Sequence, residues 1–89
     1  MKITVLVSKW CPVCEVAEEI LKKLKEEHNF ELEILDVTSE KGRKIVEEKG
    51  IRKIPATLID GVLVFSGLPE ERELKEILSG KRVVIHGSL

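Results

Sequence analysis

The order in which short β-type runs and helical periodicities follow one another restricts the fold of this chain most. Alternating, partly β-branched runs occupy residues 2–7, 31–36, 56–59 and 62–65. Between the last two runs, Asp60-Gly61 is a strong hairpin turn signal. Apolar residues spaced three and four apart predict three helices, which alternate with the first three runs and follow the hairpin.

The helix boundaries carry ordinary capping signals. The first helix starts at Pro12 and ends near His28, the second follows Thr38-Ser39 and stops at Gly50, and the third begins at Pro69 and stops at Gly80. The element order is therefore β-α-β-α-β-β-α. One crossover unit gives a parallel strand pair and the hairpin adds two antiparallel strands, which predicts an α/β domain with a four-stranded mixed sheet.

The whole chain is a single small unit. Its 89 residues contain no internal repeat and no linker, and a chain of this length forms one domain. We expect that domain to cover residues 1–80. Residues 81–89 then form a tail, for which an added edge strand and a mobile end are both open.

Charge and hydropathy exclude two classes of partner. The 15 Lys and Arg against 16 Asp and Glu leave a net charge of -1, and aromatic residues are only 3%, so nucleic acid is not expected. The longest apolar runs fall far short of the roughly 20 residues that span a bilayer. Since polar Ser8-Lys9 interrupt the first apolar run before a cleavage-like site, we expect a cytoplasmic protein, and we expect it to be a monomer.

Two cysteines three residues apart follow the first β run, in Cys11-Pro12-Val13-Cys14. Proline favours the first helical position, so Pro12 makes Cys11 the N-cap residue. The amides of Val13 and Cys14 then point toward the Cys11 sulfur. Together with the positive end of the helix dipole, they stabilise a thiolate on Cys11.

The helical periodicity assigns different surroundings to the two thiols. The apolar stripe is centred between Val13 and Leu24 and includes Val16, which makes Cys11 the accessible sulfur and Cys14 a partly shielded one. Three residues apart at the start of a helix, the two thiols can close a disulfide with little movement. This is the layout of a dithiol exchange site, with an attacking thiolate and a resolving partner.

Over residues 3–78 the chain resembles the thioredoxin and glutaredoxin superfamily, in particular small glutaredoxin-like redoxins that serve ribonucleotide reductase and short archaeal thioredoxins. Four segments carry the resemblance: Trp10-Cys11-Pro12-Val13-Cys14, Gly50-Ile51-Arg52-Lys53-Ile54-Pro55, Asp60-Gly61 and Phe65-Ser66-Gly67. The resemblance implies a thioredoxin fold and a protein disulfide reductase that needs no cofactor besides its own dithiol. Implied partners are disulfide-containing proteins and, as electron donor, a thioredoxin reductase or glutathione.

The same resemblance implies roles for individual residues. Cys11 attacks a substrate disulfide and Cys14 resolves the mixed disulfide. The bond before Pro55 is cis, and the backbone of Ile54 pairs with the bound substrate strand. The substrate-binding residues are then Trp10, Pro12, Ile54, Pro55 and Gly67, although Trp10 can equally be a half-buried aromatic residue.

The chain departs from its relatives in two places. Thioredoxins carry a buried acid on the strand before the cysteines, where this chain has Val5. Glutaredoxins hold glutathione partly through two glycines and an acid before the last helix, where this chain has Ser66-Gly67-Leu68-Pro69-Glu70. These departures leave the electron donor open.

Other readings of the polar residues stay open beside the redox one. A zinc or copper module also uses two cysteines at this spacing, but a zinc site needs two more ligands, and His28 and His86 fall at no recognised spacing. The order of elements does not match the β-α-β-β-α-β copper carriers. The neighbouring charges have two readings each: Arg52 and Lys53 steer acidic partners or are plain surface, and Glu70 and Glu71 cap the last helix or contact a ligand amine.

Overall fold

A computed structural model describes residues 1–80, and the expected tail at 81–89 lies outside the described residues. Within residues 1–80 the seven elements follow in the predicted order. They are β1 (Lys2–Val7), α1 (Pro12–Glu27), β2 (Glu31–Asp36), α2 (Glu40–Lys49), β3 (Ala56–Ile59), β4 (Val62–Ser66) and α3 (Glu71–Leu78). No helix among these is long and apolar enough to cross a membrane.

The four strands form one mixed sheet in the order β2-β1-β3-β4. β1 pairs parallel with β2 and antiparallel with β3, and β3 pairs antiparallel with β4. The hairpin turn has φ of 48° at Asp60 and 83° at Gly61, as a turn with two left-handed central residues requires. The predicted four-stranded mixed sheet is confirmed.

Both faces of the sheet are covered. Ile3, Val5 and Val7 of β1 belong to one core cluster, together with buried residues of α1 and α3. Leu6 lies on the opposite face in a second cluster, against which residues of α2 pack. Because β1 is central and covered on both sides, five of its six residues are buried, and it forms a rigid base for the turn that follows it.

The third helix begins two residues later than its sequence signals predict. Its first residue is Glu71 and its N-cap is Glu70, whose side chain makes no capping hydrogen bond. The prediction of a start at Pro69 is therefore wrong. The Gly67 N–H donates to the Pro55 carbonyl at 2.7 Å, which holds the segment before Pro69 against the start of β3, and Pro69 and Glu70 stand between that segment and the first helical residue.

The buried face of the first helix is also rotated from the predicted one. Val13 and Val16 are 45% and 44% exposed, whereas the buried residues are Cys14, Ala17, Leu21 and Leu24. These four are spaced as one helix face, and a free cysteine packs as a small apolar residue. The predicted apolar stripe is centred too close to Val13 and Val16 because it does not include Cys14 as a buried apolar residue.

Candidate active site

Cys11 caps the first helix, as predicted. Its backbone is extended, with φ of -112° and ψ of 102°, and Pro12 is the first helical residue. The Cys14 N–H donates to the Cys11 sulfur, with 3.2 Å between nitrogen and sulfur. Of the two amides expected in this turn, Cys14 makes the bond and Val13 does not. The backbone of the helix start thus points a hydrogen-bond donor at the Cys11 sulfur.

The two thiols differ sharply in accessibility. Both are free, and Cys11 is partly exposed, whereas Cys14 is 1% exposed and lies in the main core cluster. Burial, followed by a hydrogen bond to the Cys11 side chain, raises the pKa of Cys14 to about 11. Cys14 is shielded more completely than the periodicity predicted, so only Cys11 offers a sulfur to a molecule approaching from solvent.

The raised pKa of Cys14 predicts how the reduced protein responds to alkali. The pKa of this thiol is about 9.0 in the unfolded chain and about 11 in the folded protein. Between these values the unfolded state binds fewer protons, so the free energy of unfolding falls as the pH rises. We therefore expect the difference in free energy of unfolding between reduced wild type and Cys14→Ser to become smaller from pH 9 to pH 10.5, as measured by urea unfolding. A difference that does not change with pH would contradict the burial of the Cys14 thiol.

Pro55 and Ile54 lie in the loop that leads into β3. The peptide bond between them is cis, as the resemblance implied. Pro55 is fully buried, while Ile54 is partly buried and packs against the same core cluster as Cys11. The loop therefore packs against the same core as the cysteine pair, although Pro55 lies 43 positions after Pro12, where the helix starts.

Trp10 is almost completely exposed, at 91%, which excludes the half-buried reading. It lines an open cleft of about 250 Å³ together with Ser8, Lys9, Asp36 and Thr38. The turn beneath it is fixed by Ser8, whose hydroxyl accepts from the Trp10 N–H and whose carbonyl accepts from the Cys11 N–H, both at 3.3 Å. The ring thus stands in solvent on an ordered turn directly before Cys11.

The remaining expected substrate residues divide into accessible and covered ones. Pro12 is exposed and Gly67 is buried. Gly67 has a φ of 96°, and a Cβ built on it would lie 3.2 Å from the Lys53 side chain. Lys53 therefore covers a residue that the resemblance assigns to substrate binding, which sequence reasoning missed because nothing local couples positions 53 and 67.

The described residues offer no metal centre. Among residues 1–80 no three His, Cys, Asp or Glu side chains are grouped so that they can hold a metal ion. His28 is the C-cap of α1, where its N–H donates to the Leu24 carbonyl at 2.8 Å, and His86 lies beyond the described part of the chain. β1 contains no Asp or Glu, and Val5, where thioredoxins carry a buried acid, is fully buried.

Comparison with known proteins agrees with this geometry. A family model described as a thioredoxin domain matches residues 1–79. A probable thioredoxin from Methanothermobacter marburgensis is 32% identical over 79 residues, which is 89% of this chain and 93% of that protein. One from Archaeoglobus fulgidus is 32% identical over 71 residues, covering 80% of this chain and 78% of its own length.

Solved structures share the fold at lower identity. A mutant thioredoxin from Halobacterium salinarum NRC-1 superimposes with a TM-score of 0.70 at 22% identity, covering 94% of this chain and 76% of the other. The oxidised mitochondrial thioredoxin 3 of Saccharomyces cerevisiae gives 0.69 at 19% identity, covering 89% and 76%.

Proposed function

Because the chain belongs to the thioredoxin family and is a thiol-disulfide oxidoreductase that carries the Cys11–Cys14 pair, we propose that it reduces disulfide bonds of other proteins, with Cys11 attacking and Cys14 resolving. The observation that carries this proposal is the contrast between a partly exposed, N-capping Cys11 and a Cys14 that is 1% exposed. The thiolate is the nucleophile in disulfide exchange, and access decides which thiol reacts first.

The proposed reaction has two exchange steps. The Cys11 thiolate attacks one sulfur of the substrate disulfide, a bond forms between them, and the other substrate sulfur leaves as a thiolate. Cys14 then gives up its proton, which the leaving substrate thiolate takes, and its sulfur attacks Cys11. The mixed disulfide breaks, the second substrate sulfur is released, and two electrons have passed from the dithiol to the substrate.

The raised pKa of Cys14 suits this order of events. A resolving thiol that stays protonated while Cys11 is free does not compete as nucleophile. β1 has no carboxylate to receive the Cys14 proton, and Glu18, whose charge acts on this thiol, lies 4.0 Å from the Lys22 ammonium group. We infer that the substrate thiolate itself is the acceptor. The dithiol carries both electrons, and the proposed reaction requires no further cofactor.

Substrate contacts are proposed for the residues around the two sulfurs. The exposed Trp10 and Pro12 form one side, and the partly buried Ile54 offers its backbone to an extended substrate segment. Pro55 and Gly67 are both buried, and we propose that they hold the Ile54 backbone in place for that segment. We propose that the domain of residues 1–80 acts as a monomer on disulfide-containing proteins in the cytoplasm, a compartment in which thiols are kept reduced.

Cys14→Ser tests the division of roles. The variant is expected to attack substrate normally and then to stall, because no second thiol remains to release the mixed disulfide. Incubated with an oxidised protein substrate, it should accumulate a covalent adduct that mass spectrometry finds on Cys11 and that dithiothreitol removes. Cys11→Ser, treated alike, is the matched control and should form none. An adduct through Cys14 in that control would reverse the proposed roles.

The electron donor is proposed to be a thioredoxin reductase or glutathione. One coupled NADPH assay separates them, with a thioredoxin reductase in one cuvette and glutathione with glutathione reductase in the other. Turnover in the first cuvette alone would assign the reductase, and turnover in the second alone would assign glutathione.

A further inference from the structure

The side chain of Lys53 lies over Gly67. A Cβ on Gly67 would be 3.2 Å from Cε, 3.4 Å from Nζ and 3.7 Å from Cδ of Lys53. Gly67 is buried, whereas its neighbours Ser66 and Leu68 are exposed. Its N–H is bonded to the Pro55 carbonyl at 2.7 Å. The lysine thus crosses the junction between the Pro55 loop and the segment before α3.

The ammonium group of Lys53 has no counter-charge in the described part of the chain. No carboxylate of residues 1–80 forms a salt bridge with it, whereas Lys2, Lys22, Lys41 and Lys75 each have one. Lys53 is exposed, and Arg52 beside it adds a second positive charge. An exposed cation without a counter-charge attracts anionic groups that approach it.

The position of Lys53 gives this charge a consequence for binding. It directly precedes Ile54, whose backbone we propose to pair with the substrate, and its Nζ lies beside Gly67, whose N–H bonds to the Pro55 carbonyl. A substrate segment paired with Ile54 would therefore lie next to the residue that carries this ammonium group. Its flexible side chain can swing away from Gly67 at small cost and turn its ammonium toward that segment.

We propose that Lys53 is a specificity residue that favours disulfides with a carboxylate next to the reacting cysteine. This inference rests on the proposed function and names the substrate class within it. An aspartate or glutamate beside the substrate cysteine forms an exposed ion pair with Lys53, and pairs of that kind change an equilibrium roughly two- to fivefold. A lysine at the same substrate position is repelled to a similar extent.

Three disulfide peptides that differ only at the residue beside the cysteine test this: aspartate, serine or lysine. Wild type should show kcat/KM values in the order aspartate, serine, lysine, with steps of about two- to fivefold. Lys53→Gln should reduce the steps, because Arg52 remains as a cation, and Lys53→Glu should abolish the order. Lys23→Glu is the matched control, because it makes the same charge change on an exposed residue of α1, about 18 Å along the helix from Cys11. It should keep the wild-type order.

The outcomes separate this inference from the function on which it rests. If wild type reduces none of the peptides, the disulfide reductase proposal fails. If it reduces all three and Lys53→Glu keeps the wild-type order, the specificity role is overturned while the function stands. Loss of the wild-type order in Lys23→Glu as well would assign the effect to net charge, and that result also overturns the proposal.

Discussion

Replacing Cys11 by serine is expected to reduce the rate of insulin-disulfide reduction to the rate that dithiothreitol gives alone. The reason is chemical, because a serine hydroxyl is neither ionised at neutral pH nor able to form a disulfide. Cys14 cannot substitute, since it is 1% exposed and its pKa is raised to about 11 by burial and by a hydrogen bond to Cys11. Turbidity of the precipitating insulin chains measures the loss.

The substitution should leave the fold intact, which makes the result interpretable. Serine is among the preferred N-cap residues, and its hydroxyl can accept the Cys14 N–H that the Cys11 sulfur accepts now. Far-ultraviolet circular dichroism and urea unfolding should therefore resemble those of the reduced wild type. Acceleration by folded Cys11→Ser equal to that of wild type would end the assignment of Cys11 as nucleophile.

Gly42→Ala is expected to destabilise the protein by about 3 kcal/mol, at the upper end of the usual cost of overpacking. A Cβ on Gly42 would stand 2.1 Å from the Asp36 carbonyl oxygen and 2.9 Å from Ser39 Oγ. The carbonyl oxygen is backbone, and it accepts from the Ser39 N–H at 3.0 Å and from Ser39 Oγ at 2.6 Å. It cannot move aside without breaking the bonds that hold Ser39, the N-cap residue of α2.

Gly50→Ala provides the control that separates steric clash from backbone strain. Gly50 is left-handed, with a φ of 62°, but nothing lies within 4 Å of its Cβ direction. Alanine there costs only the conformational penalty of roughly 1–2 kcal/mol. Urea unfolding of both variants beside wild type should rank Gly42→Ala as the less stable. A Gly42→Ala stability equal to wild type, which the better helix propensity of alanine alone would favour, would contradict the close packing of α2 on β2.

The sequence anticipates the elements well where local chemistry decides them. Strand β2 and the Asp60-Gly61 hairpin follow from alternation and turn residues, and Gly50 ends α2 because a left-handed C-cap favours glycine. The N-cap role of Cys11 follows equally from the proline behind it. In each case the signal and its effect lie within a few residues of one another.

The features that the sequence does not predict are contacts between segments that are distant along the chain. Gly67 bonds to Pro55 shortly before α3 begins, and the side chain of Lys53 lies beside Gly67. The close approach of Gly42 to Asp36 requires β2 and α2 to be placed together. None of these contacts has a periodicity or a turn signature, so no pattern along the chain reports it.

The most direct test of the account is limited alkylation of the reduced wild-type protein near neutral pH. Peptide mass spectrometry after short exposure to substoichiometric iodoacetamide should find the label on Cys11, with Cys14 labelled only after unfolding in urea. This order is expected because the Cys11 sulfur is partly exposed at the helix start and the Cys14 sulfur is buried in the core. Labelling of Cys14 as fast as Cys11 in the folded protein would contradict it.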